Sequence, residues 1–222
     1  MRLIIVRHFK TRSNALGRIL GWGDSPPAHD WEKDLIFVDR TLRDQGIEVD
    51  AIYSSDLERA QRTAEYYAKY RNTATLGHSG QLNEVNYGTL YHKSKAWVIE
   101  NVQEYKTDPG YVFPEGESFL QMQARSVQFV TKLGVHSDSN TVLLVIHAGV
   151  IRGLVCHLLG LDYTSNLKRK ISHKYIGDFL IEGSRCIRYN ELGKPSGFVK
   201  QGIVSPSSSE SMPMTDVDIA LT

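Results

Sequence analysis

The stretch LIIVRHFKTRSN, residues 3–14, gives the clearest indication of how the chain folds. Its apolar start is typical of a buried strand in a mainly parallel sheet, and Arg7 and His8 follow that strand directly. Ligands of open α/β sheets bind just beyond the carboxyl ends of the strands. Taken alone, the Arg7-His8 pair has an ordinary structural explanation, namely a surface arginine beside a histidine that is hydrogen-bonded to a backbone carbonyl. However, a second strand, Thr141–Ile146, also ends in a histidine, His147, and the two together indicate a binding or catalytic site.

The composition limits the choice of partners. The 222 residues include 26 basic and 25 acidic side chains, and the net charge of +1 gives no bulk attraction to nucleic acid or to an anionic membrane. No apolar run approaches the ~20 residues of a membrane span, and no targeting segment is recognisable before the first strand, so we expect a cytoplasmic protein. The two cysteines, Cys156 and Cys186, are expected to be reduced, packed thiols.

Strand and helix patterns alternate through the first half of the chain. Apolar residues at helical spacing predict a helix that begins near Trp31 and that Gly46 would end. A short strand, Ala51–Ser54, leads into a capping-box pattern that begins at Ser55 and opens a second helix. Arg59 lies in the first turn of that helix and off its apolar stripe, so it is available to a site at the strand ends.

The second half continues the alternation. A short extended stretch ends at Glu84, whereas residues 90–114 carry no clear pattern. A capping box at Ser118 opens a helix, and residues 149–159 are apolar enough to predict a buried helix. Two further strands, which would form an antiparallel edge, are predicted at 175–181 and 185–189.

This alternation predicts an α/β protein, namely a three-layer α/β/α sandwich with a mainly parallel sheet. A chain of this length can bury a sizeable core in one domain. We expect a single catalytic domain at residues 1–204, followed by a Ser- and Pro-rich tail at 205–222.

Five side chains at strand ends or helix starts form a chemically coherent set: Arg7, His8, Arg59, Glu84 and His147. The guanidinium group of arginine presents a fork of donors that matches phosphate oxygens. An imidazole is a nucleophile only when it is neutral, and two nearby arginines favour the neutral form. A glutamic acid that protonates a leaving alkoxide must hold a proton, and an adjacent phosphate dianion favours that form. The set therefore points to phosphoryl transfer.

The chain resembles the histidine phosphatase superfamily, which has the phosphoglycerate mutase-like fold. The matching stretches occur in the family's order and span most of residues 1–160: VRHFKTRSN, SSDLERAQRTAE, LNEVNYG, PEGES and VIHAGVIRGL. The resemblance implies that His8 is the nucleophile and becomes transiently phosphorylated. It also implies that Arg7, Arg59 and His147 bind the phosphoryl group, and that Glu84 is the proton donor and then the base for water.

The same resemblance implies substrate-binding roles for Asn14, Gly21 and Ala148. It implies no metal and no organic cofactor, and the sequence contains no zinc-binding spacing and no Walker-type glycine loop.

Two positions depart from the family pattern. Phe9 replaces a glycine, so it would be strained if that position needed a positive φ, and it could narrow the pocket mouth. Lys10 replaces a residue that is often acidic, which could suit a substrate with a second anionic group.

Three functions are compatible with these residues. The favoured one is a phosphatase acting on a small phosphomonoester, because Val85 and Asn86 replace the Arg-His that follows the glutamate in the mutase branch. The stretch between Glu84 and Glu117 is also shorter than in mutases, and a more open site favours hydrolysis. The alternatives are a phosphoglycerate mutase and a non-catalytic domain that binds phosphorylated ligands. The expected partner is a small phosphorylated substrate, without nucleic acid or membrane. The identity of the substrate stays open, and a homodimer is one option for the oligomeric state.

Overall fold

The computed structural model describes residues 1–71, 75–136, 141–183, 185–194, 196–198 and 202–203. Its strands are β1 (Arg2–Arg7), β2 (Ala51–Ser54), β3 (Thr75–His78), β4 (Thr141–Ile146), β5 (Ile176–Glu182), β6 (Arg185–Glu191) and β7 (Gly202–Ile203). They form one mixed sheet in the order β3-β2-β4-β1-β5-β6-β7. The first four strands of this order are parallel, whereas β5, β6 and β7 pair antiparallel.

The register of the central strands gathers the predicted site at one edge of the sheet. β1 pairs in parallel with β4, and Arg7 lies opposite Ile146, so that His8 and His147 leave the sheet side by side. β2 pairs with β4 on its other side, and Ser54 lies opposite Val145. Three strands therefore end within one residue of each other, and the residue after each strand lies at the same opening.

Helices cover both faces of the sheet. They are α1 (Arg12–Ala15), α2 (Trp31–Asp44), α3 (Glu58–Arg71), α4 (Lys95–Asn101), α5 (Phe119–His136), α6 (Ala148–Leu159) and α7 (Tyr163–Asn166). Alternate residues of β1 face opposite layers: Leu3 and Ile5 pack in the core beneath α5 and α6, whereas Ile4 and Val6 pack in the core beneath α2 and α3. The predicted three-layer α/β/α sandwich is confirmed.

Several local predictions are wrong. The extended stretch before Glu84 is a 3₁₀ turn, Gly80–Leu82, and the strand lies earlier, at Thr75–His78. No element was predicted for residues 90–114, and the structure places α4 there. The strands predicted at 175–181 and 185–189 do pair antiparallel, as β5 and β6, but the edge of the sheet beside them is formed by β7. Ser55 does not cap α3, because that helix starts only at Glu58.

The capping box at Ser118 is confirmed. The Gln121 N–H donates to Ser118 Oγ at 3.1 Å, and the Ser118 N–H donates to Gln121 Oε1 at 2.8 Å. Both Cys156 and Cys186 are buried free thiols, as expected. Within the described ranges, no helix has the length and apolar character needed to cross a bilayer. The predicted tail, 205–222, lies outside the described residues.

Candidate active site

Two hydrogen bonds fix His8 at the end of β1, one from its backbone N–H and one from its ring. Its N–H donates to the Ile146 carbonyl at 3.0 Å, which continues the pairing of β1 with β4 by one residue. Its Nδ1 lies 2.6 Å from the Phe9 carbonyl oxygen. Because a carbonyl can only accept, Nδ1 carries the hydrogen, and Nε2 is the unprotonated nitrogen of the neutral ring. The free lone pair of the neutral His8 ring is therefore on Nε2.

The surroundings keep this ring neutral. His8 is 2% exposed, and burial is the largest cause that holds its pKa well below 6.5. The positive charges of Arg59 and Arg7 act in the same direction, as do the neighbouring imidazoles. A neutral imidazole among cations at a strand end is the state that nucleophilic attack on phosphorus requires.

His147 lies beside His8. The two ring centroids are 4.9 Å apart. His147 Nε2 lies 2.7 Å from Ser55 Oγ, whereas its buried Nδ1 has no hydrogen-bond partner among the described residues. Burial, followed by the charges of Arg59 and Arg7, lowers its pKa well below 6.5. Ser55 directly follows β2, and a position directly after a strand is also what identified the two histidines in the sequence. The sequence pattern around Ser55 instead suggested that it caps a helix.

Arg59 is 2% exposed and reaches from the first turn of α3 across the strand ends. Its Nη2 donates to the Gly21 carbonyl at 2.6 Å, and its Nη1 donates to the Gly23 carbonyl at 2.7 Å and to Asp24 at 3.1 Å. Its Nε is buried without a partner in the described part of the chain. Burial lowers its pKa, and the carboxylate of Asp24 opposes that shift. Arg59 therefore fixes the backbone of the loop that carries Gly21.

Arg7 provides a second guanidinium group. Its Nη1 donates to the Ile171 carbonyl at 2.6 Å, and its Nε is buried without a partner among the described residues. Burial is the main cause that lowers the pKa of Arg7 to about 10, and the nearby charge of Arg152 adds to that shift. Each of the two arginines thus has a buried N–H that no described protein group satisfies, and phosphate oxygens are strong acceptors.

Glu84 is brought to the N-terminus of α6. Its Oε2 accepts the Gly149 N–H at 3.1 Å, and its Oε1 accepts the Val85 N–H at the same distance. A Cβ on Gly149 would overlap Oε1, so only glycine lets the carboxylate approach the helix this closely. The positive end of a helix favours a carboxylate there. The predicted acid therefore lies at the start of the helix that follows His147.

Sequence reasoning missed Arg125, which organises the backbone around Glu84. This α5 side chain donates through Nη1 to the carbonyls of Gln81 and Asn83 at 2.9 and 2.7 Å. Its Nη2 donates to the Glu84 carbonyl at 2.9 Å and to a carboxylate oxygen of Glu117 at 2.6 Å. Nothing in the local sequence around Arg125 signals this role, because all its partners come from other segments.

Two of the remaining predicted positions lie on the helices that follow β1 and β4. Asn14 completes a capping box at α1: its Oδ1 accepts the Thr11 N–H at 3.2 Å, and its own N–H donates to Thr11 Oγ1 at the same distance. Ala148 is the first residue of α6. Phe9 does not narrow the opening. Its ring is 1% exposed and packs against Trp31 with centroids 4.9 Å apart, and its φ is not positive, so the expected strain is absent.

Additional positive charge surrounds the site. Lys106 has a pKa lowered to about 7, mainly by burial, and the charges of Arg152, Lys95 and Arg7 add to the shift. Burial, followed by the charges of Arg7 and Arg152, also lowers the pKa of Lys95. Arg152 is buried, and its Nη1 donates to the Arg169 carbonyl at 3.2 Å. The electrostatics of this region therefore favour an anionic ligand.

Known proteins are similar to this chain in sequence. A 2,3-bisphosphoglycerate-dependent phosphoglycerate mutase from Bartonella tribocorum is 29% identical over 169 residues, which cover 72% of this chain and 82% of the mutase. An adenosylcobalamin/alpha-ribazole phosphatase from Salmonella typhi is also 29% identical over 169 residues, covering 74% of this chain and 83% of the phosphatase.

Solved structures share the fold. The alpha-ribazole phosphatase from Shigella flexneri superimposes with a TM-score of 0.73 at 24% identity, covering 84% of this chain and 93% of that one. A mycobacterial glucosyl-3-phosphoglycerate phosphatase gives a TM-score of 0.74 at 22% identity, covering 86% and 96%. The family model described as histidine phosphatase superfamily (branch 1) matches residues 3–186. The chain therefore belongs to branch 1 of the histidine phosphatase superfamily.

Proposed function

We propose that the protein is a phosphatase that hydrolyses a small phosphomonoester through a phosphohistidine on His8. One observation carries the proposal. His8 is buried and neutral, with Nδ1 engaged by the Phe9 carbonyl and Nε2 left as the reactive nitrogen, beside His147 and two arginines. A site that only binds phosphate needs cations but no oriented, uncharged imidazole. The geometry therefore supports catalysis over the alternative of a non-catalytic phospholigand-binding domain.

In the first step, His8 Nε2 attacks the phosphorus atom and the bond from phosphorus to the ester oxygen breaks. Glu84 gives its proton to the departing alkoxide, which leaves as an alcohol. Arg7, Arg59 and His147 hold the phosphoryl oxygens as their charge is redistributed. The Nε atoms of both arginines and the Nδ1 of His147 support this role, because they are buried and have no hydrogen-bond partner among the residues that the structure describes.

In the second step, Glu84 accepts a proton from water as the water oxygen attacks the phosphorus atom of phosphohistidine. The bond between phosphorus and Nε2 breaks, its electron pair returns to His8, and inorganic phosphate leaves. Glu84 is then protonated again and ready for the next ester. All groups in this cycle are side chains of this chain, so the proposal needs neither a metal nor an organic cofactor.

Steady-state hydrolysis tests the proposal. Release of phosphate from p-nitrophenyl phosphate should be unaffected by EDTA, and His8→Ala should reduce it at least ~10³-fold, because the covalent route is lost. His29→Ala is the matched control, since the His29 side chain is 95% exposed. Phosphate release that survives in His8→Ala, or that stops in EDTA, would contradict the mechanism.

A mutase remains the second candidate, because the Bartonella relative is a phosphoglycerate mutase. The two functions separate when the protein is incubated with 3-phosphoglycerate and a trace of 2,3-bisphosphoglycerate. A phosphatase should give inorganic phosphate and little 2-phosphoglycerate. Rapid formation of 2-phosphoglycerate would replace the phosphatase proposal by the mutase.

The substrate class follows from charge. Lys95, Lys106 and Arg152 favour a phosphomonoester that has a second anionic group, which is the preference that Lys10 suggested in the sequence. The same proposal places the enzyme in the cytoplasm, where Cys156 and Cys186 would stay reduced.

A further inference from the structure

His173 lies against His8, the proposed nucleophile. Its Nδ1 lies 2.7 Å from the His8 carbonyl oxygen, and the two ring centroids are 5.5 Å apart at an interplanar angle of 73°. Because the carbonyl can only accept, His173 Nδ1 is the donor. His173 lies three residues before β5, which pairs antiparallel with β1, so this segment reaches the edge where β1 ends. The preceding Ile171 carbonyl accepts Arg7, so the segment contacts two residues of the site.

The peptide group between His8 and Phe9 is held at both ends. Its carbonyl accepts the His173 Nδ1–H, and its N–H donates to Thr63 Oγ1 at 3.0 Å. The Thr63 hydroxyl in turn donates to the Arg59 carbonyl at 2.7 Å, which fixes its direction. Two side chains from different segments thus set the plane of one peptide.

That peptide controls the orientation of the nucleophile. The carbonyl that accepts His8 Nδ1–H belongs to Phe9, the residue immediately after the held peptide. If the peptide rotated, the Phe9 carbonyl would move and the His8 ring would lose the bond that keeps the proton on Nδ1. The ring could then place its proton on Nε2, the atom that must attack.

We propose that His173 is a positioning residue, which acts with Thr63 to hold the 8–9 peptide so that His8 keeps Nε2 unprotonated and aimed at the phosphoryl group. The inference rests on the proposed phosphatase function for its kinetic consequence. Its structural consequence, the tautomer of His8, can be measured in the resting protein.

The charge state of His173 suits this role. Burial is the largest cause that holds its pKa well below 6.5, and Arg7, Lys10 and Lys95 act in the same direction. Its hydrogen bond to the His8 carbonyl opposes the shift. The ring is therefore neutral near pH 7, and it donates from Nδ1 without adding a positive charge beside the substrate.

An isosteric pair of variants tests the donated hydrogen. His173→Asn keeps a donor nitrogen at the same number of bonds from Cβ, whereas His173→Leu has the shape of Asn without a donor. We expect His173→Leu to lower kcat for p-nitrophenyl phosphate about tenfold with little change in KM. The lost hydrogen bond helps to position His8, and no hydrogen bond to the substrate is lost. His173→Asn should stay within about threefold of the wild type. The exposed His29→Leu should match the wild type.

Two-bond ¹H–¹⁵N correlation spectra of the histidines give the second readout. The His8 signals are assigned by their loss in His8→Gln. The wild type should show His8 as the Nδ1–H tautomer, His173→Asn should keep it, and His173→Leu should show a mixture of tautomers. Unchanged kcat and an unchanged His8 spectrum in His173→Leu would overturn the proposal, as would equal damage in both His173 variants. A wild type without any phosphatase activity counts against the proposed function, whereas the spectra still decide the positioning role.

Thr63→Val gives an independent test at the other end of the peptide. It removes the acceptor of the Phe9 N–H with little change of shape, and we expect the same loss of kcat and the same mixture of His8 tautomers. If His173→Leu does not fold, Thr63→Val decides, and a wild-type spectrum with wild-type kcat would overturn the proposal. If both fold, the double variant should lose less than the product of the single losses, because both residues hold one peptide. Fully multiplicative losses would contradict that shared action.

Discussion

Gly149→Ala perturbs Glu84, the proposed proton donor, and leaves the other side chains of the site in place. The new Cβ would overlap Glu84 Oε1 and lie 3.1 Å from Glu84 Cδ, so the carboxyl group must withdraw by roughly 1 Å and lose the 3.1 Å bond from the Gly149 N–H. A misplacement of this size costs up to about 10²-fold in rate. None of the side chains proposed to bind phosphate is removed, so the loss should fall on proton transfer.

The leaving group makes this loss visible. An alkyl phosphate must receive a proton as its alcohol departs, whereas p-nitrophenolate leaves as a stable anion. We expect Gly149→Ala to lower kcat for an alkyl phosphate about 100-fold and kcat for p-nitrophenyl phosphate less than about fivefold. The measurement is the ratio of the two rates in the variant and in the wild type.

Gly134→Ala is the matched control for this experiment. Gly134 is also a helical glycine, but its added Cβ would approach only Met1 Cε, at 3.7 Å. Replacement of a helical glycine by alanine should stabilise the fold by about 0.5–1 kcal/mol and leave both rates unchanged. If Gly149→Ala slowed both substrates equally, or neither, then Glu84 would not be the proton donor at this position.

Three further predictions follow from the buried residues of the site. Ser55→Ala removes the partner of His147 Nε2 and should lower kcat/KM for p-nitrophenyl phosphate about tenfold; an unchanged value would contradict the contact. Phe9→Ala should lower the free energy of unfolding by about 3–5 kcal/mol in denaturant titrations, because the ring is 1% exposed; a loss below about 1 kcal/mol would show that the ring does not pack in the core. The pKa of His8 and His147 is depressed below 6.5 in the folded state, so the unfolded chain binds more protons below that pH and stability falls as the pH is lowered. Between pH 6.5 and 5 each ring should lower the free energy of unfolding by up to about 2 kcal/mol. Replacing either ring by Asn should remove its share of the pH dependence, and an unaltered dependence would refute a neutral buried ring.

The sequence predicted the architecture because its signals are local. Strand β1 is an uninterrupted apolar run, β4 is another, and a histidine follows each of them. Parallel pairing then brings both histidines to one edge, as a general property of such sheets. Arg59 could be predicted because it lacks a local partner, unlike Arg62, which pairs with Glu58 at 3.3 Å.

The supporting residues were not predictable in the same way. Arg125 and His173 donate hydrogen bonds to backbone carbonyls of distant segments. Every residue has a backbone carbonyl, so no sequence pattern identifies these partners. Phe9 was misjudged because its side-chain direction depends on how the chain leaves β1, and it turns into the core rather than toward the pocket. Ser55 matched a capping pattern, but its hydroxyl contacts His147, because tertiary packing overrides a local propensity.

Trapping the covalent intermediate tests the central claim most directly. The protein is mixed with a phosphomonoester, quenched within milliseconds in alkali, where phosphohistidine is stable, and digested for mass spectrometry. We predict one phosphoryl group on His8 Nε2 in the wild type, and none in His8→Ala. Turnover without a phosphorylated His8 at any quench time, or a phosphoryl group on another residue, would contradict the account.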